Sequence, residues 1–267
     1  VTLLAAVVLG IVQGLTEFLP VSSSAHLILG RAFFGWDAGA LGLAFDVACH
    51  VGTLAAVVLF FRVEIARLAS ALPRLLGPDP TARSLRLIAV GTLPIVVAGL
   101  LYTDAVEHAL RTPRVAAWTL VVGGVLMMVA ERARQSDRTE ESLGLGGALA
   151  IGIGQAAALI PGLSRSGTTI SIGLLLGLRR DAAARFTFLL SIPAIMAAAG
   201  KETIELADIG FTRGAAGLFA VGMIVSAVVG YLTIRYFLRY LAGHRLDAFA
   251  YYRFALAAVT FAWLAAR

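Results

Sequence analysis

The stretch Gln13-Gly14-Leu15-Thr16-Glu17-Phe18-Leu19-Pro20-Val21-Ser22-Ser23-Ser24-Ala25-His26 decides how this chain is read. A carboxylate, three consecutive hydroxyls and an imidazole fall between Glu17 and His26, with strongly apolar sequence around them. Such groups are expensive inside a membrane unless they are satisfied and used. The rest of the chain supplies the solvent: of 267 residues 59% are hydrophobic and only 14% charged, and mean hydropathy is +0.88. Soluble domains carry about 25% charged residues. With several long apolar segments, this predicts an all-α polytopic membrane protein whose single membrane domain spans residues 1–267.

Composition also excludes classes of function. A net charge of +6 would suit nucleic acid, but the arginines sit in short loops between apolar segments. That is the pattern of membrane topology, and no nucleic-acid partner is expected. The single cysteine, Cys49, lies in an apolar segment, so no disulfide framework or zinc site is expected. The first apolar stretch lacks a basic leader and a small-residue cleavage site, and is not read as a signal peptide.

Ten apolar segments lie at 3–19, 25–34, 41–61, 86–102, 115–130, 144–160, 168–178, 186–200, 214–234 and 249–266. Crossing the hydrocarbon takes roughly 20 helical residues. The second and seventh segments are too short, and each follows a proline and a hydroxyl-rich turn, so they are the returning arms of re-entrant hairpins. An offset of 142 residues places Gly10-Ile11 on Gly152-Ile153, Gln13 on Gln155, Ser22 on Ser164 and Ser24 on Ser166. The halves, about 1–130 and 144–267, share the order long, short, long, long, long. Two hairpins and six transmembrane helices follow, and three spans per half make the repeats inverted.

Arginine tests that topology. The loops 62–86, 131–143, 179–185 and 235–247 then share one side with 14 Lys/Arg, against six on the other: Arg31, Arg111, Arg114, Lys201, Arg213 and Arg267. The richer side belongs in the cytoplasm. The first hairpin therefore enters from outside, the second from the cytoplasm, and their tips meet near the midplane, where inverted repeats build a central site.

Gln13 and Glu17 share a helix face. Ser22, Ser23 and Ser24 cap the short helix that carries His26 on its first turn, where free N–H groups also attract anions. The second motif is Pro161-Gly162-Leu163-Ser164-Arg165-Ser166-Gly167-Thr168-Thr169. Arginine between serines, beside a glycine and ahead of a short helix, suits a phosphate. An ion pair of Arg165 with Glu17 is compatible with that role. Asp46 and His50, four residues apart, are expected to face one cavity, and His50 is weighed equally as a packing residue. Arg253 is expected to snorkel to the interface. His108 and His244 are placed in solvated loops.

At these residues the chain resembles the bacterial undecaprenyl-diphosphatase family, membrane enzymes linked to bacitracin resistance. Gln13 to His26 is similar to its first motif, Pro161 to Thr169 to its second, and Asp46-Val47-Ala48-Cys49-His50 and Tyr252-Arg253-Phe254 fit in order between and after them. The resemblance implies hydrolysis of undecaprenyl diphosphate to the monophosphate at the outer face of the cytoplasmic membrane. That recycles the lipid carrier for peptidoglycan and other cell-wall glycans, and so bears on cell shape. It also implies a divalent cation. Many members have glutamate where this chain has Gln13, which leaves Glu17 as the motif's carboxylate and Gln13 as the weaker metal ligand. Where many read Ser-Thr-Gly-His, this chain reads Ser23-Ser24-Ala25-His26.

The expected site follows. Arg165, with Ser22, Ser24, Ser164, Ser166, Gly167, Thr168 and Thr169, holds the diphosphate. Mg²⁺ or Ca²⁺ bridges Glu17, with Gln13, to the phosphates. The nucleophile is Ser23 with His26 as base, His26 itself, or water with Glu17 as base. The prenyl tail lies between helices in lipid, and the chain could pair as a homodimer. The rival reading is an inverted-repeat transporter or flippase for a lipid phosphate or small anion. A soluble-type acid phosphatase motif needs histidine seven residues after the arginine, where this chain has Ile172.

Overall fold

A computed structural model describes residues 2–36, 42–134, 136–209 and 213–267; of residues 43, 44, 103–105, 107, 108, 201–209 and 213–215 it describes the backbone alone. Lys201, Arg213 and the side chain of His108 therefore lie outside the described side chains. The chain forms α1 (Leu3–Thr16), α2 (Ser23–Phe34), α3 (Leu43–Phe60), α4 (Arg62–Ser70), α5 (Pro80–Leu110), α6 (Pro113–Ala133), α7 (Leu145–Ala157), α8 (Arg165–Leu175), α9 (Arg180–Ile209), α10 (Arg213–Leu241) and α11 (Asp247–Ala265). Among the described residues there is no strand, and one isolated bridge joins Arg138 to Leu178. Helices α5, α6, α9, α10 and α11 are long and apolar enough to cross a membrane, and α3 with α4 makes a sixth span if the bent pair counts as one. The all-α polytopic membrane class and the count of up to six spans thus agree with the sequence reading.

Both hairpins are too short to span. Helices α1 and α2 have 14 and 12 residues, α7 and α8 13 and 11, so each arm is about 17–21 Å long against a hydrocarbon core of about 30 Å. The expected lengths of other elements need correction. The segment 62–86, read as a loop, contains α4 and the first turns of α5, and α4 leaves α3 at a bend of 75°. His108, read as a loop residue, lies within α5. The apolar run records where lipid begins. It does not record where the helix ends, because Arg83 and Arg86 extend α5 beyond the apolar window without breaking it.

Each hairpin is gripped by the opposite half: α1 packs on α10, and α7 on α5. These two crossings are built alike. A Cβ on Gly10 would meet the Gly222 carbonyl, and one on Gly152 would meet the Gly91 carbonyl. Close helix approach through small residues is the usual solution in lipid, where no hydrophobic force draws helices together. A larger core of Phe18, Phe61, Phe188, Ile234 and Phe237 lies beneath the first tip. Phe18, 2% exposed, meets Phe188 edge-on at 5.4 Å between centroids. The residue next to Glu17 is therefore anchored in packed aromatics.

One end of the bundle collects the arginine-rich loops. The buried Glu131 carboxylate accepts from Arg180 at 2.8 and 2.6 Å and from the Leu246 N–H at 2.8 Å. Arg185 pairs with Glu64, and Arg83 donates to the carbonyls of Glu141 and Leu143. The four loops assigned to one side by arginine counting are thus tied together. At the other end, Asp46 pairs with both Arg31 and Arg111.

Candidate active site

The two tips are near copies. Ser22 has φ +74° and Ser164 φ +72°, the positive-φ residues other than glycine among the described residues. Each is the N-cap of the following short helix: Ser22 Oγ accepts from the Ala25 N–H, and Ser164 Oγ from the Gly167 N–H. Such backbone costs about 1–3 kcal/mol per residue and persists where the surroundings enforce it, typically at functional sites. The tips also bond to each other. The Gly162 N–H donates to Ser24 Oγ at 3.2 Å, and Ser166 Oγ donates to the Leu19 carbonyl at 3.0 Å.

Arg253 fixes this junction. Its side chain is fully buried and donates to the carbonyls of Pro20, Thr119, Leu120, Gly162 and Leu163. The snorkelling expectation is overturned: five carbonyls within reach satisfy the guanidinium inside the protein, so it has no need of the interface. A Cβ on Gly123 would occupy the space of this guanidinium, so α6 must have glycine there.

Glu17 is the hub of the polar contacts. Ser23 Oγ donates to Glu17 Oε2 at 2.7 Å, and Gln13 Nε2 donates to the same oxygen at 2.9 Å. His50 Nε2 stands 3.6 Å from Oε2, and Arg165 Nη1 stands 3.7 Å from Oε1. Arg165 Nη1 is buried without a hydrogen-bond partner. The expected proximity of Glu17 and Arg165 is therefore present, and it leaves the guanidinium with unused donors.

These groups line a cavity of about 320 Å³. Glu17, Ser22, Ser23, Ser24, Ser164 and Arg165 reach it from the tips, with His50 from α3. The opposing wall is Ile95, Val96, Gly99 and Leu100 of α5 with Ala194, Ile195 and Ala197 to Ala199 of α9, apolar turns that follow Pro94 and Pro193. Both helices begin at the arginine-rich end, so the cavity lies toward the other end, where Arg111 joins its wall. Val96, Leu100 and Met196 are exposed beside it, an apolar margin facing lipid.

Several expected site residues lie apart from the cavity or from one another. His26 is turned away from Ser23. Its Nδ1 lies 2.7 Å from the Ser22 carbonyl and its Nε2 2.7 Å from Tyr252 Oη, with the two rings stacked. The partner of the Ser23 hydroxyl is Glu17, because both His26 ring nitrogens are taken, one by the Ser22 carbonyl and the other by Tyr252 from α11. Ser166, Gly167, Thr168 and Thr169 are also not on the cavity. Ser166 bonds across to Leu19, the Gly167 N–H is used by Ser164, and the threonine hydroxyls donate to the carbonyls of Leu163 and Arg165. They build the second tip from behind. Asp46 and His50 do not share the cavity: His50 lines it, while Asp46 is buried between Arg31 and Arg111 and accepts from His50 Nδ1 through its carbonyl. His244 is exposed and stacks on Tyr240.

Among the described residues no group of three or more His, Cys, Asp or Glu could hold a metal. Glu17 offers one carboxylate, and Gln13 Oε1 is buried with no hydrogen-bond partner. One carboxylate with neutral oxygen donors fits a hard divalent cation that takes its remaining ligands from phosphate.

A family model described as bacitracin resistance protein BacA matches residues 6–259. The chain belongs to this family. It is similar to an undecaprenyl-diphosphatase of Rubrobacter xylanophilus, 51% identical over 270 residues covering 98% of each chain. It is also similar to an undecaprenyl-diphosphatase of Nitrosococcus oceani, 44% identical over 95% of this chain and 96% of that one, and to an undecaprenyl-diphosphatase 2 of Stutzerimonas stutzeri, 46% identical over 96% of each. In this BacA-family chain, sequence reasoning undervalued Arg253 and His50. A lone arginine inside an apolar helix was the available signal for the first. Tyr252 and Arg111 gave no local signal, since their partners lie 226 and 65 residues away.

Proposed function

We propose that this chain is an integral membrane phosphatase of the bacterial cytoplasmic membrane. It hydrolyses undecaprenyl diphosphate to undecaprenyl phosphate and inorganic phosphate, returning the carrier for cell-wall synthesis and conferring bacitracin resistance. The observation that carries this is the Ser23 hydroxyl held 2.7 Å from Glu17 beside a guanidinium with unused donors. A transporter would need the donors, but not a hydroxyl paired with a base.

In the proposed reaction Ser23 Oγ attacks the terminal phosphorus while Glu17 takes its proton. The bond from phosphorus to the bridging oxygen breaks, undecaprenyl phosphate leaves with the electron pair, and Glu17 passes its proton to the departing phosphate oxygen, which restores the carboxylate. Water then attacks the phosphoserine, with its proton going to Glu17. Phosphate is released, and Glu17 returns that proton to Ser23 Oγ, restoring both the hydroxyl and the carboxylate. Arg165 and the N–H groups of the tips stabilise the equatorial oxygens. Glu17 and Gln13 would hold a divalent cation, Mg²⁺ or Ca²⁺, which supplies charge neutralisation at the phosphates. The prenyl tail leaves through the apolar margin between α5 and α9. The excess of arginine at the opposite end supports a cavity that opens outward.

The test is phosphate release from a prenyl diphosphate by purified protein and by Glu17→Gln, Ser23→Ala and Arg165→Ala. Near-normal turnover in all three variants would sink the assignment. In sealed vesicles, substrate crossing without phosphate release would replace it with transport.

A further inference from the structure

Diphosphate chemistry raises a question of charge. A prenyl diphosphate brings roughly two to three negative charges, while Arg165 already faces Glu17. The charge comes from the far wall. Asp46 is 2% exposed and takes two hydrogen bonds from Arg31, at 2.5 and 2.9 Å, which match its single charge. Arg111, at the C-terminal end of α5, shares the same carboxylate through one oxygen. Among the described side chains, this outer cluster therefore holds one carboxylate and two guanidiniums. The two arginines are not equivalent. The Arg111 side chain is 30% exposed and lines the cavity with Arg165, Ser23 and His50, whereas Arg31, at 13%, does not reach it.

We propose that Arg111 is a second phosphoryl-binding cation: Arg165 takes one phosphoryl group of the diphosphate and Arg111 the other, making the cavity selective for diphosphate over monophosphate. Guanidinium suits this, because it stays charged and can keep Asp46 on one N–H while offering others to phosphate oxygens. The surrounding apolar wall strengthens the attraction by limiting water. The inference rests on the phosphatase reading for its substrate, but its binding arm is independent of turnover.

The matched pair Arg111→Gln and Arg31→Gln decides it, since each removes one ion pair to Asp46 and only the first removes a cavity cation. Binding of methylenediphosphonate and of inorganic phosphate to purified protein is measured by calorimetry, with farnesyl diphosphate kinetics alongside. Arg111→Gln is expected to weaken diphosphonate about tenfold, the order of one charge-assisted hydrogen bond, with a smaller change for phosphate. KM is expected to rise more than kcat falls. Arg31→Gln should keep the wild-type preference for diphosphonate. Equal behaviour of the two variants in both arms overturns the proposal and leaves Arg111 a structural ion pair. If wild type binds diphosphonate in this Arg111-dependent way yet releases no phosphate, the subsite stands and the phosphatase reading falls. Arg111→Leu, suited to an apolar wall, is judged by the same criterion should the glutamine variant not fold.

Discussion

Arg253 donates through Nη2 to the Gly162 carbonyl at 2.8 Å, and through Nη1 to the Pro20 carbonyl at 3.2 Å. One guanidinium on the last helix thus ties together the tips of two hairpins that enter from opposite ends. Carbonyls drawn to Arg253 turn the adjoining peptide N–H groups the other way, because a trans peptide sets C=O and N–H antiparallel. Two of those N–H groups are held within their own tips, Val21 donating to the Leu19 carbonyl and Leu163 to the Ile160 carbonyl, so the clamp fixes the backbone of both turns.

Arg253→Met should leave the buried Pro20 and Gly162 carbonyls unpaired, since Thr119 and Leu120 lie within α6 and Leu163 still accepts from Thr168, at a cost of about 3 kcal/mol or more. Thermal unfolding in detergent is expected to show a large loss of stability. Arg253→Lys keeps the charge but has three donors, so it should recover only part of both stability and turnover. Wild-type kinetics in the lysine variant would show that the geometry of the fork is not needed.

Glu17→Gln and Ser23→Ala should each lower kcat by roughly 10²–10⁴-fold, the usual contribution of a positioned base or nucleophile. Because the two groups act as one unit, the double variant should fall little further than either single one. Multiplicative losses in single-turnover assays would mean that they act separately.

Ser22→Gly and Ser22→Ala should differ in sign. Alanine keeps the positive φ and loses the cap, costing about 1 kcal/mol, whereas glycine gives up only a few tenths as a cap and relieves strain of about 1–3 kcal/mol. Comparing melting temperatures in the same detergent tests this. The same pair at Ser164 should repeat the result, since its backbone and cap are the same.

Gly152→Ala should force α5 and α7 apart, because a Cβ there collides with the Gly91 carbonyl, which is backbone and cannot swing aside. A loss of about 1–3 kcal/mol is expected, as for overpacked cores, with lower activity as the second tip shifts. Gly217→Ala, where a Cβ meets nothing, should be neutral or raise stability by up to about 1 kcal/mol. Unfolding midpoints of the two variants provide the comparison.

Much of the architecture was legible because lipid is a strict solvent. Apolar run lengths separate spans from hairpins, arginine counts separate the two ends, and the offset of 142 residues between Ser22-Ser24 and Ser164-Ser166 pairs the tips. Proline followed by serine marked both turns, since local backbone chemistry decides them. Glu17, Ser23 and Arg165 drew notice for the same reason: ionisable and nucleophilic groups in an apolar chain stand out without any knowledge of their neighbours.

Partnership was not legible. Whether Ser23 bonds Glu17 or His26 depends on how α2 docks on α1 and on Tyr252 of α11 engaging the His26 ring, which the local spacing does not encode. Whether Arg253 reaches lipid or carbonyls depends on what α6 and the two tips place beside α11, over sequence separations of 90 to 233 residues. Arg31 and Arg111 count alike as arginines of the outer side, and only the packing of α2, α3 and α5 puts one behind Asp46 and the other in the cavity. Sequence by itself determined that this is a membrane-embedded, twice-hairpinned bundle with a polar, phosphate-suited centre. The tertiary structure alone decided which of those polar groups meet, because hydrogen-bond partners are fixed by angles between packed helices and no local pattern encodes them.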